Sequence, residues 1–420
     1  MSWHGVGLGP LSLEEASRRL VGAPGAFRLR DGERTVLGAF PVEASEGIDP
    51  EPGLVPELGA SRLPRWVGLL PYEAFRELEG SGRQEEREAP LLERPSWRRY
   101  AAVAVHERGE LRVEGEDAAA VERLVGTLGA AVRGSRPPAS LRFAARPEPG
   151  GAHAERVRRA LDWIARGQLY QVNLARCFEL AVEGHPFELL EALGGAAGAP
   201  FSLALDFDGL GVVSGSPELF LDVGPEGRVE TRPIKGTRPR GRTPEEDLGL
   251  RMELEGSEKE RAELTMVVDL ERNDLGRIAR VGTVEVSELP HVVTHPTVHH
   301  REAAVSAWLR EGVGRAELLR ATVPSGSVTG APKKKAMELI AELEPVRRGL
   351  YTGALGTLSH DGRLRLSMAI RVLVLRGGRG HYYTGGGIVA DSVPDAEVAE
   401  TWWKARWLSP LLPGLLDAEN

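Results

Sequence analysis

Thr231-Arg-Pro-Ile-Lys235-Gly-Thr-Arg-Pro-Arg-Gly241, continued by Glu260-Arg-Ala-Glu263 and by Val267-Val-Asp-Leu-Glu-Arg-Asn-Asp274, is the stretch around which the rest of the chain is organised. Its first part reads as a basic loop punctuated by Pro and Gly, with one lysine held between Ile234 and Gly236. Its second part reads as an acidic helix running into an apolar, strand-like end. Ser257 followed three residues later by Glu260 fits a capping box, so the helix starts near Glu258 and carries Glu260 and Glu263 on one face. Two carboxylates so spaced can hold Mg²⁺ directly or through its waters. Equally, Glu260 can be the cap partner and Glu263 a solvated residue. Lys235, among Arg232, Arg238, Arg240 and Arg242, is either an anion clamp or, with its pKa lowered by those cations, a nucleophile.

Composition bounds what surrounds this stretch. With 420 residues the chain can bury a large core, and 41% hydrophobic with 27% charged residues is a globular balance. A net charge of −8 argues against a general nucleic-acid binder, which needs a basic face. The single Cys177, in a strand-like Leu174-Ala-Arg-Cys-Phe setting, rules out a disulfide framework and reads as structural. No signal-peptide pattern opens the chain, and no apolar run approaches the roughly 20 residues that span a bilayer, so a cytoplasmic location is expected.

Short apolar runs before residue 133 predict strands of an antiparallel sheet, with helices at 13–21 and 117–132. The Pro- and Gly-containing stretch 134–151 marks the best boundary, dividing the chain into 1–148 and 149–415. Helices are expected at 153–167 and 186–196, and strands at 169–174, 202–207 and 211–216. The last of these leads to Glu218, a carboxyl beside apolar neighbours that is either an exposed turn residue or an acid with raised pKa. Four histidines lie between His291 and His300, but adjacent His299 and His300 on a strand point to opposite faces, so at most one faces a given site. The turn-rich loop from Thr322 through Ser327 to Lys333 opens a helix whose N-terminus favours an anion. Two strands, 351–359 and 364–375, pair across His360-Asp-Gly362, and a third, 380–384, ends in Gly385-Gly386-Gly387, a backbone nest or a bend. On the final helix, Glu397, Glu400 and Lys404 share one stripe, a second Glu pair that can face the first.

These residues carry a resemblance. The chain is similar to the chorismate-utilising enzymes, which include anthranilate synthase component I, aminodeoxychorismate synthase component I and the isochorismate and salicylate synthases. The match runs from about Trp66-Val-Gly-Leu-Leu-Pro-Tyr-Glu73 onward and is most specific at Ser216-Pro-Glu-Leu-Phe220, Arg232 through Gly241, Ala262-Glu263 through Asn273-Asp274, Gly330-Ala-Pro-Lys333 and Gly385 through Glu400. The fold implied is α+β, two packed antiparallel β-sheets with helices outside, the N- and C-terminal parts contributing to one intertwined body.

The resemblance also implies roles. Lys235 stands where sequences resembling anthranilate synthase have alanine, and its presence resembles the aminodeoxychorismate type. Gln171 stands where isochorismate and salicylate synthases carry a water-activating lysine. Glu263 and Glu400, helped by Glu260 and Glu397, would bind Mg²⁺ against the ring carboxylate of chorismate. Lys235 would be the nucleophile and Glu218 the acid, while His300 would support the ring. Gln171, Ser327, Tyr351, Arg371, Lys404 and the backbone of Gly385, Gly386 and Gly387 would hold the substrate. Ammonia would come from a separate glutamine amidotransferase subunit, no lyase would be fused, and inhibition by tryptophan is not expected. Leu264 and Arg301-Glu-Ala depart from the pattern. The alternatives are an anthranilate synthase component I and a non-catalytic binding relative.

Overall fold

The computed structural model of the protein describes residues 3–51, 61–78, 88–131, 138–194, 199–295 and 298–415. The start of the expected boundary (134–137) and the end of the expected 186–196 helix (195–196) lie outside the described residues.

Strict alternation along the N-terminal strands sorts side chains onto two faces. Val103 and Val105 enter one apolar cluster with Phe27, Leu29 and Val36, while Ala102, Ala104 and Leu37 enter another. The first cluster also contains Val67, Leu69 and Leu355 from a second sheet, so it is the layer between two sheets packed face to face. Small alanines serve the opposite face because helices Leu13–Leu20 and Ala118–Gly129 settle onto it. Full burial of a valine such as Val105 contributes on the order of 1.5–3 kcal/mol relative to exposure.

Among the described residues the first sheet has twelve antiparallel strands. It runs from His4–Gly9 through Glu110–Gly115, Ala102–Glu107, Arg34–Gly38 and Phe27–Asp31 to Phe201–Phe207 and Leu210–Ser216. It continues through Val372–Arg376, Arg379–Ile388 and Gln171–Glu183. The second sheet has ten, and its centre places Leu219–Val223 beside Leu364–Met368, then Ala354–Ser359, then Pro64–Leu70. Strands from before and after residue 148 therefore share hydrogen bonds in both sheets, Leu29 with Leu203 in one and Val67 with Thr357 in the other. Helices Glu258–Gly276 and Arg315–Thr322 cover the outer face of the second sheet. The α+β architecture of two packed antiparallel sheets with outer helices is the one the sequence suggested.

Four local expectations are corrected. The stretch 267–274 is not strand-like: it continues the helix Glu258–Gly276, burying Leu264, Val267, Val268 and Leu275 at helical spacing. The basic loop is the strand Ile234–Pro239, paired with Val298–Trp308. The expected strand 364–375 is two strands in different sheets, because Arg371 takes a left-handed φ of 49° and turns the chain from Leu364–Met368 to Val372–Arg376. Gly385–Gly387 form neither nest nor bend but continue the strand Arg379–Ile388 opposite Asn173, Leu174 and Ala175.

Cys177 lies half-buried on its strand with its thiol pushed up to about 12 by burial, which leaves it unreactive. No helix among the described residues is long and apolar enough to cross a membrane.

Candidate active site

One cavity of about 380 Å³ opens where the two sheets and the helices Glu258–Gly276 and Pro394–Ala405 meet. The strand Ile234–Pro239 brings Lys235 to it through a bulge, since the register against the neighbouring strand slips between Lys235 and Thr237. Gly236 makes the bulge possible with a φ of 72°, and any Cβ there would collide with the Glu260 carboxylate. Lys235 Nζ donates to the carbonyl of Ser327 at 3.2 Å. Burial is the main cause lowering its pKa, with Lys404 adding to it and Glu263, Glu218 and Glu400 opposing. The neighbouring arginines, expected to do this, are not the cause. Arg232 pairs with Glu230, Glu288 and Glu302, Arg238 with Glu253 and Glu260, and Arg240 with Asp247.

Glu218 reaches the cavity from the start of the strand Leu219–Val223 and is 4% exposed. Burial pushes its pKa up to about 7, against the Ser327 hydroxyl, which donates to Oε1 at 2.8 Å, and the charge of Lys235. An acid and an amine whose surroundings push them toward one another's protonation range thus face the same space.

Opposite them, four carboxylates converge from two helices. Ser257 caps the first helix through the Glu260 N–H at 3.4 Å, while the Glu260 side chain turns away to accept from Arg238 at 3.0 Å. Glu260 Oε2 and Glu397 Oε2 are buried with no hydrogen-bond partner among the described residues. Burial raises the pKa of Glu263 and of Glu397, and the like charge of Glu400 adds to both. Glu400 is exposed toward the mouth and pairs with Lys404 at 2.6 Å, which overrides burial and lowers its pKa. Orphaned carboxylate oxygens and mutual repulsion are what a hard cation relieves, so this donor set fits Mg²⁺. Among the described residues no three His, Cys, Asp or Glu side chains are yet gathered as closely as a metal requires.

Gly386 lies under this cluster: a Cβ there would stand 2.8 Å from Glu397 Oε2 and 3.6 Å from Glu400 Oε1. On the proposal below that these carboxylates hold Mg²⁺, Gly386→Ala is expected to weaken activation by the ion roughly tenfold while the chain stays folded, because side-chain ends rather than backbone must shift. A titration of activity against Mg²⁺ at saturating substrate checks this, and an unchanged midpoint would separate Gly386 from the cation site.

His300 lines the cavity with Nδ1 2.8 Å from Thr237 Oγ1 and Nε2 buried without a partner. Burial, helped by Arg371 and His295, drops its pKa to about 3, so it is neutral. His299 points to the other face, to Asp247 at 3.0 Å. Tyr351, Arg371, Lys404, Gly385 and Gly387 line the cavity as well. Tyr351 stacks on Tyr383 at 5.4 Å. Arg371 makes no ion pair among the described residues and sits at the turn between the sheets. Lys404 Nζ donates to the Gly385 carbonyl at 2.6 Å.

Two expected substrate contacts are not among the residues that line the cavity. Gln171 is fully buried, both amide atoms unpartnered among the described residues, beside Lys235: a Cβ on Gly387 would be 2.9 Å from Gln171 Nε2 and 3.5 Å from Lys235 Nζ. Gly386 is not itself among the lining residues but lies beneath two of them, Glu397 and Glu400.

Asn173 was missed: it lines the cavity, its Nδ2 buried without a hydrogen-bond partner among the described residues. Its signal was a polar residue between Val172 and Leu174, period-2 spacing from Gln171. Also missed was Arg348, 2% exposed, which donates to the carbonyls of Val328 and Asn173 at 3.1 and 2.7 Å and to Glu344 at 2.6 Å. It ties the loop carrying Ser327 to the strand carrying Asn173.

A family model described as chorismate binding enzyme matches residues 18–410. The chain belongs to that family. Relatives among the chorismate binding enzymes carry two different names. Anthranilate synthase component 1 of Thermus thermophilus is 46% identical over 257 residues, 61% of this chain and 55% of that protein. Aminodeoxychorismate synthase component 1 of Salmonella typhimurium is 44% identical over 260 residues, 62% and 57%. The chain spans about half the length of the curated relatives it matches. Of solved structures, anthranilate synthase component I from Streptococcus pneumoniae superposes with a TM-score of 0.73 at 26% identity, covering 97% of this chain and 92% of that one. The menaquinone-specific isochorismate synthase of Escherichia coli gives 0.77 at 18% identity, covering 98% and 94%, a likeness of fold. In this chorismate binding enzyme a carboxylate-rich wall, a carboxyl of raised pKa and a lysine of lowered pKa thus surround one space.

Proposed function

We propose that this chain is the chorismate-aminating component of an aminodeoxychorismate synthase, converting chorismate and ammonia into 4-amino-4-deoxychorismate, a precursor of 4-aminobenzoate and folate. The observation that carries this reading is Lys235 Nζ within the cavity, its pKa lowered, across from Glu218. A neutral amine there is a nucleophile.

Glu263 and Glu400, with Glu260 and Glu397, would hold Mg²⁺, which when bound would neutralise a ring carboxylate. Arg371, without a counter-ion among the described residues, suits the carboxylate of the enolpyruvyl group, and Lys404 and Tyr351 stand beside it on the wall. Lys235 attacks ring carbon 2, and Glu218 gives its proton to the 4-hydroxyl, which leaves as water. Ammonia then adds at carbon 4, expelling the lysine, which departs as the free amine. Neutral His300 presents Nε2 to the ring without adding charge. Ammonia would be delivered by a separate glutamine amidotransferase subunit, a reading consistent with the "component 1" names of the relatives.

The second reading is anthranilate synthase component I, favoured by relatives of that name at 44–46% identity. Product identification separates the two. Purified chain is incubated with chorismate, Mg²⁺ and an ammonium salt at alkaline pH, with and without an added 4-aminodeoxychorismate lyase. The expected result is 4-aminobenzoate in the lyase sample alone. Anthranilate without lyase would replace the proposal by the second reading, and no chorismate turnover would leave a binding relative.

A further inference from the structure

From the cavity wall inward four side chains form an unbroken hydrogen-bonded line. Ser327 Oγ donates to Glu218 Oε1 at 2.8 Å, Ser325 Oγ lies 3.0 Å from Ser327 Oγ, and Ser325 Oγ lies 2.8 Å from Glu271 Oε1. All four residues are buried, none more than 4% exposed. The line is held at both ends: Glu271 rises from the helix Glu258–Gly276, and the serines sit in the loop before Gly330–Ala331 that Arg348 anchors through the Val328 carbonyl. One helical turn beyond Glu271 is Asp274, paired at 2.6 Å with Lys333, whose side chain is 14% exposed and reaches the surface.

Glu271 has no part in the chemistry described above. Nothing in the packing needs a carboxyl at a fully buried helix position, where Leu264, Val267, Val268 and Leu275 are its helix-mates. Burial, and then the charge of Asp274, hold its proton on well above the usual carboxylate range, against Ser325 and Lys333. Its second oxygen, Oε2, has no partner.

We propose that Glu271, acting through Ser325 and Ser327, is a proton-storing positioning residue that resupplies Glu218 in each turnover. The proposal rests on the reading above, in which Glu218 is the acid. When Glu218 gives its proton to the leaving hydroxyl it becomes a carboxylate. It takes the hydroxyl proton of Ser327; Ser327 takes that of Ser325, and Ser325 takes the carboxyl proton of Glu271. Three O–H bonds break and three form, both serines end as hydroxyls, and Glu271 ends as the carboxylate. Glu271 regains its proton from water on the Asp274–Lys333 side, away from the filled cavity. The charges facing the two ends are Lys235 and Glu302 at Glu218, and Asp274 and Lys333 at Glu271.

The test compares Glu271→Gln, Ser325→Ala and Ser325→Thr in the full chain. In the assay with chorismate, Mg²⁺ and ammonium, the first two are expected to lose about tenfold or more in kcat with KM for chorismate within about threefold, and Ser325→Thr, which keeps the hydroxyl, to recover most of the loss. Wild-type kcat in Glu271→Gln, or equal loss in Ser325→Ala and Ser325→Thr, overturns the relay. Infrared difference spectra of the ligand-free proteins give a second arm, with Glu218→Gln marking the carboxylic acid band of Glu218. That band is expected to move in Glu271→Gln and in Ser325→Ala, and its standing still in both overturns the connection. Because this arm uses no substrate, a wild type inactive toward chorismate would sink the substrate reading while the infrared result still decides whether the two carboxyls communicate.

Discussion

On the proposed reading, Lys235→Ala is expected to reduce formation of 4-amino-4-deoxychorismate by on the order of 10³-fold or more, leaving the chain folded and able to bind chorismate. Removing the amine deletes a single hydrogen bond, to the Ser327 carbonyl, and no ion pair. It therefore costs the scaffold little. What it removes is an amine whose pKa burial lowers from the ordinary lysine range. If Lys235 acts by attack, Lys235→Arg, which keeps a cation but cannot lose its proton, should be as inactive as the alanine variant. Activity in Lys235→Arg within tenfold of wild type would show a purely electrostatic role. Rapid-mixing product analysis under single-turnover conditions, with mass spectrometry for a lysine adduct, is the deciding measurement.

Glu218→Gln is expected to lower kcat by roughly 10²–10⁴-fold with a much smaller change in KM, since the amide preserves shape and the Ser327 hydrogen bond but cannot give up a proton. The pH profile carries the sign. Glu218 is useful when protonated, and burial places its pKa at about 7, so kcat/KM falls as pH rises through that value in the free enzyme. Lys235 is useful when neutral, so its deprotonation gives the opposite, rising limb, moved down from the ordinary lysine range. The product of the two is a bell. In Glu218→Gln the falling limb should vanish and the rising limb remain; a falling limb that persists would assign the acid to another group.

The parts of the site that were legible in the sequence are those whose chemistry shows in residue type and order. Lys235, Glu218 and the two Glu-x-x-Glu pairs could be named as candidates from a lysine in a Pro/Gly frame, a carboxyl beside apolar neighbours and acidic pairs at helical spacing, but each pattern also has a structural use and their roles came only with the family resemblance. Layer and direction were harder. Met368-Ala-Ile-Arg-Val reads as one apolar strand because no Gly or Pro announces the turn at Arg371, and the left-handed φ there is imposed by the two sheets it joins. Three glycines read as flexible, yet the strand needs them bare because Gln171, Lys235 and the Glu397 carboxylate crowd the backbone from both sides. Glu271 gave no signal of its own, since an acidic side chain buried by long-range packing has the same local signature as a solvated one. Gln171 was named only through a family position, because its nearness to Lys235 is set across Gly387, more than two hundred residues away in the chain.

The pairing of Pro64–Leu70 with Ala354–Ser359 joins segments roughly 290 residues apart. On a ribosome adding about 5–20 residues per second, the early strand waits on the order of 15–60 s for its neighbour. Until then Trp66, Val67, Leu69 and Leu70 have no finished core to enter, and the unpaired edge is open to other nascent chains. Yield during synthesis should therefore depend more on chaperones that shield this segment than on the stability of the finished protein.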